Sequence, residues 1–125
     1  MKKDINNRHD IEILVNNFYA KVKQDAIIGK FFTEVVKLDW NEHMVQMYDF
    51  WESILFNKSI FSGNPLKKHK ELNQKSPLNI IHFEHWIKLF NNNVDELFCG
   101  ENAIRIKQNA GIIKENLAAR TLNTI

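Results

Sequence analysis

The 125-residue sequence has little cysteine, proline or glycine, with one, two and four of them respectively. Cys99 alone cannot form an internal disulfide, so the fold must be held by packing. So few turn residues cannot serve the many short strands of a sandwich or barrel, and helices are favoured. No run comes near the roughly eighteen apolar residues that a membrane span needs. Charge of one sign is scarce too: 17 basic against 15 acidic residues leave +2, with Lys2–Lys3 and Lys67–Lys68 as the densest runs. That excludes a nucleic-acid footprint and an acidic membrane surface as partners. The opening MKKDINNRHD carries charge where a secretory signal needs an apolar centre, so a cytoplasmic chain is expected. Zinc-protease helices, phosphate-cradling glycine loops and nucleophile elbows are all missing, which leaves hydrolase and kinase chemistry without a basis.

What the chain does hold is aromatic: nine Phe, three Trp and two Tyr, beside five His. Length and composition fit a single domain over residues 1–125, and filling a core is the plain explanation of so many rings. Ile11, Leu14, Val15, Phe18, Tyr19 and Val22 recur at steps of three and four, which predicts a first helix of about four turns. The apolar stretch from Ala26 to Phe32 predicts a turn or a short helix. From Asp39, a second helix sets Trp40, His43, Met47, Phe50, Trp51, Ile54 and Leu55 on one side, with Glu42, Gln46, Asp49 and Glu52 on the other. Asn64 and Pro65 read as the cap and first turn of a short helix, Leu66 to about Leu72. A further period, Ile80, Phe83, Trp86, Ile87, Phe90, Val94, Leu97 and Phe98, ends near Gly100. A last helix begins near Asn102 with Ile106, Ala110, Ile113, Leu117 and Thr121 inward. The expected fold class is all-α.

Four polar residues sit where chemistry could use them, each with a plainer alternative. His69, behind Lys67 and Lys68, reads either as a solvated surface residue or as a metal-ligating imidazole. A neutral imidazole suits haem iron because it takes one axial face and leaves the other open to a small gas. His43 lies on an apolar stripe, one turn from Met47, and is either a satisfied core histidine or a group aimed at a ligand. Tyr19 and Trp86 are core filler or hydrogen-bond donors by the same logic. The pair His82 and His85 invites zinc at i, i+3, but a structural site needs four ligands and Cys99 is over three turns away. The pair is therefore read as helix surface and cap, and Cys99 as a small residue at a helix end.

Taken in order, FYAKV around Tyr19, the pair Phe31–Phe32, WNEHMVQMYDFW from Trp40 to Trp51, FSGNPLKKH ending in His69, and HFEHW ending in Trp86 resemble the truncated globins. The likeness is to the third group of these short bacterial haemoglobins and runs from about Ile11 to Leu117. The glycine pairs typical of groups one and two are absent, as the third group requires, and Met47 stands where a branched aliphatic is commoner. The resemblance implies a two-over-two helical sandwich around haem b, iron protoporphyrin IX. By position it implies His69 as the proximal iron ligand, Phe32 packed on the porphyrin, Met47 over the ring, and Tyr19, His43 and Trp86 on the distal side. Lys68 becomes a candidate partner for a haem propionate.

Three functions follow from these readings. The first is binding of a diatomic gas (dioxygen, nitric oxide or carbon monoxide) at ferrous iron. The second is a nitric oxide dioxygenase or peroxidase-like enzyme served by a separate reductase. The third is a cofactor-free helical interaction module, which would be colourless.

Overall fold

A computed structural model describes residues 2–35 and 39–122. Five helices follow one another: α1 (Arg8–Lys23), α2 (Trp40–Leu55), α3 (Pro65–Lys75), α4 (Ile80–Leu97) and α5 (Glu101–Leu122). A π-helical turn, Phe31–Val35, stands between α1 and α2. Among the described residues there is no strand, in keeping with the all-α expectation. None of the described helices is long and apolar enough to cross a membrane.

Side chains in the sequence fix where most helices start. Asn7 accepts from the Asp10 amide, Asp39 from Glu42, Asn64 from Lys67 and Asn79 from Ile81, each satisfying a donor that the first turn leaves unpaired. Pro65 occupies the first turn of α3, where its missing N–H costs nothing. α5 takes its cap from the far end of the chain. The Asp4 carboxylate accepts the Asn102 and Ala103 amides at 3.0 and 2.9 Å, and the Cys99 amide donates to the Lys3 carbonyl. Gly100 permits this approach: its φ is +140°, and an added Cβ would come within 2.5 Å of Asp4.

α1 packs on α2 and α4 on α5, and the two pairs meet through α1 with α4 and α2 with α5. This is the two-over-two arrangement. α3 stands aside, packing on α5 and on the π-turn. The core between the pairs is aromatic: Phe90 stacks with Trp51 (centroids 4.9 Å apart) and with Trp86 (5.5 Å). Buried Asn93 belongs to the same core and is satisfied, donating to the Leu14 carbonyl and accepting from Asn17 and Lys21.

The predicted inward stripe of α1 is buried throughout. Several other expectations need correction. Glu52, placed outward by periodicity, is buried, because Arg8 and Lys58 bind its carboxylate at 2.9 and 3.3 Å. The Arg8 bond first, and then Lys58, hold its pKa below the usual carboxylate range against the opposing effect of burial. Ile80, expected inward, is 51% exposed at the first turn of α4. Lys114, on which the sequence pattern gave no expectation, is buried on α5, where Glu84 and Glu115 take its ammonium at 2.8 and 2.6 Å. α3 runs three residues beyond the expected Leu72.

Candidate functional site

Between α3 and the walls formed by α1, α2 and α4 lies a cavity of about 400 Å³. Such a volume falls in the range of small-molecule and cofactor sites, roughly 300–1,000 Å³. Every residue that the family resemblance marked for a site lines it: Tyr19, Phe32, His43, Met47, Lys68, His69 and Trp86. Gln46, which periodicity placed on the outer side of α2, lines it as well.

Three imidazoles share this cavity, and their hydrogen bonds distinguish them. His69 Nδ1 lies 2.7 Å from the Pro65 carbonyl oxygen, one turn back in α3. A carbonyl can only accept, so Nδ1 carries the proton and Nε2 keeps its lone pair. Burial lowers the His69 pKa, with the Pro65 bond opposing, so the ring is neutral near pH 7. His82 is arranged the other way round. Its Nδ1 accepts the Asn79 amide at 3.1 Å, which puts the proton of the neutral ring on Nε2 and makes it a donor. His43 Nε2 is buried with no hydrogen-bond partner among the described residues. Burial first, and then the charge of Lys68, push its pKa down to about 4. Of the three, His69 has its tautomer fixed by a backbone carbonyl, with the lone pair left on Nε2.

The remaining wall comes from four elements. Tyr19 on α1 is buried, and burial raises its pKa, keeping the phenol protonated and able to donate. Its ring meets His43 edge-on at 5.0 Å and Phe32 at 5.7 Å. The widened π-turn lets consecutive Phe31 and Phe32 both reach the cavity. Gly29, just before it, admits the α1 backbone, since an added Cβ would lie 2.8 Å from the Val22 carbonyl oxygen. Trp86 is half-buried on α4, held by Phe90 behind it. On the α3 side, Lys68 reaches across to Gln46 at 3.2 Å, and Lys75 also lines the cavity.

By sequence pattern, the pair His82 and His85 reads together as helix surface and cap. His82 does cap α4, but it also lines the cavity, and the HFEH spacing carries no sign of that. His85 is half-buried and bonds Asp25 at 2.7 Å, tying α4 to the segment after α1. Burial opposes the acidity of Asp25, but the bonds from His85 and from the Ile28 and Ile27 amides outweigh it and hold its pKa low. Nothing in the sequence pointed to the Pro65 carbonyl, because a backbone oxygen leaves no mark in residue type. Among the described residues, no group of three or more His, Cys, Asp or Glu side chains could hold a metal.

Two comparisons match this arrangement. The group 3 truncated hemoglobin ctb of Campylobacter jejuni is 32% identical over 116 residues, covering 90% of this chain and 89% of its own length. The crystal structure of group III truncated hemoglobin from Campylobacter jejuni superposes with a TM-score of 0.82 and 30% identity, over 95% of this chain and 94% of that one. No protein-family profile matches the chain. The identity and the coverage together make the assignment: this chain belongs to the group III truncated haemoglobins.

Proposed function

We propose that the chain is a haem protein that binds dioxygen or nitric oxide, with His69 as the axial ligand and Tyr19, His43 and Trp86 beside the bound gas. The observation that carries this reading is the His69 tautomer, in which the bond from Nδ1–H to Pro65 leaves Nε2 as a Lewis base at the cavity. The residues fit the group in other respects. Aromatic and aliphatic walls suit a flat apolar macrocycle, and the partnerless His43 Nε2 gains a partner when a polar ligand enters. The cofactor is haem b rather than a covalently attached haem, since Cys99 is exposed and not among the lining residues.

A bound haem would supply an iron able to take up a diatomic gas. His69 holds the ring from α3. Tyr19, protonated because buried, would offer its O–H to a polar guest in the cavity, and a bond to a negatively charged acceptor would exceed a neutral one. Trp86 has only an N–H to give and acts in the same sense. Phe32 and Met47 exclude water by occupying the walls. Lys68, at the mouth with Gln46, is a modest partner for a porphyrin carboxylate, because exposed pairs contribute little.

Reconstitution with one equivalent of haemin tests this. A sharp Soret band in the ferric form and a carbonmonoxy spectrum after reduction are expected. A protein that leaves haemin with its free-solution spectrum refutes the reading. A second reading, nitric oxide dioxygenase or peroxidase-like turnover with an electron-donating partner, is favoured by the polar distal cluster of Tyr19 and His43, able to polarise an O–O bond. Stopped-flow turnover that slows in Tyr19→Phe supports it; equal rates in both proteins reject Tyr19 as a catalytic donor.

A further inference from the structure

Trp40 lies behind the distal residues rather than among them. It is not part of the cavity wall, yet its ring stands edge-on to His43 at 5.7 Å and 89° and to Tyr19 at 6.0 Å and 69°. Phe32 completes the enclosure, 6.4 Å from Trp40 and 6.3 Å from His43. No hydrogen bond from the described residues fixes His43 Nε2, so packing against these three rings sets where the imidazole points. Trp40 is itself held from outside. The Lys23 ammonium, at the solvent-exposed end of α1, sits 4.0 Å from its ring centroid, close enough for a cation–π attraction. Trp40 opens α2 and Lys23 closes α1, so the contact also fastens together the two helices that carry His43 and Tyr19.

Resting on the haem reading, we propose that Trp40, pinned by Lys23, is a positioning residue that keeps His43 and Tyr19 turned toward the bound gas. Lys23 touches neither ligand nor cavity, yet its loss loosens the ring that backs both donors. His43 then gains freedom to turn outward, and the hydrogen bonding offered to the gas weakens. A surface cation thereby tunes the distal pocket through one indole.

The test uses the haem-loaded ferrous protein with carbon monoxide, reading Fe–CO stretching bands by resonance Raman. Bands from strongly and weakly hydrogen-bonded carbon monoxide separate in such spectra, so their ratio reports donor placement. Lys23→Gln should move that ratio about 2- to 5-fold toward the weak band, the change expected from loss of an exposed cation–π contact. Lys23→Arg, which retains the cation, should keep the wild-type ratio, and Trp40→Leu should move it further than Lys23→Gln. An unchanged ratio in Lys23→Gln and Trp40→Leu overturns the proposal, as does a lowered urea midpoint with the bands unmoved, since that describes a merely structural contact. A wild-type protein that forms no carbonmonoxy complex rejects the haem reading itself, and the positioning role with it.

Discussion

α1 and α3 are both amphipathic helices, yet α1 buries seven residues and α3 buries none. The side chains of α1 interlock with α2 and α4, and their removal leaves neighbouring atoms without partners. His69 and Leu72 of α3 face a cavity, where there is little packing to lose. The period of a helix therefore says which side turns inward, but not whether that inward side meets a packed core or an open cavity. The distinction separates residues that hold the fold from residues that hold a ligand, and substitutions can be aimed at either class.

The largest expected effect on stability lies in the packed half. Phe90→Ala removes the ring stacked with both Trp51 and Trp86 and should cost about 3–5 kcal/mol in urea unfolding, whereas Leu72→Ala should cost about 1 kcal/mol. Equal losses would erase the contrast between the two regions. Next comes the cavity half, read by kinetics. Tyr19→Phe removes a donor contributing about 1.5–3 kcal/mol, so gas escape measured by flow mixing should quicken roughly 10- to 150-fold. Its folding stability should change little, because the aromatic ring remains.

Gly100→Ala probes the joint between the amino-terminal segment and α5. It forces a side chain into a positive-φ position against Asp4 and should cost about 1–3 kcal/mol of thermal stability. A variant as stable as the parent would show that Asp4 gives way freely. A further effect is a pH dependence. Burial lowers the pKa of His43, His69 and His82, so the unfolded chain binds protons there that the folded chain refuses. Stability should fall as pH drops below about 6.5, the ordinary histidine value, with the His43 share exhausted near pH 4. His43→Gln should flatten the slope of urea midpoint against pH in that window.

Much of this was legible beforehand where local chemistry decides the outcome. The cap and proline at Asn64–Pro65 announced α3, and the stripe from Ile11 to Val22 announced the buried face of α1. The cavity residues were legible through their likeness to a family, not through periodicity, which could not tell His69 from a surface histidine. What escaped were contacts between distant segments. Glu52 is buried because Arg8, 44 positions earlier, neutralises it, and α5 is capped by Asp4, nearly the whole chain away. The backing of His43 by Trp40 and Lys23 belongs with these, since α1 and α2 must first be packed before the two residues meet.

On the proposed function, the His69 imidazole, its tautomer set by Pro65, binds iron. His69→Gly should remove the axial ligand and leave a protein whose haem is weakly held and spectrally altered. Free imidazole, added at millimolar concentration, should enter the space left by the side chain and restore the wild-type ferrous spectrum. A glycine variant whose spectrum already equals that of the parent, with no response to imidazole, would mean that another residue holds the metal.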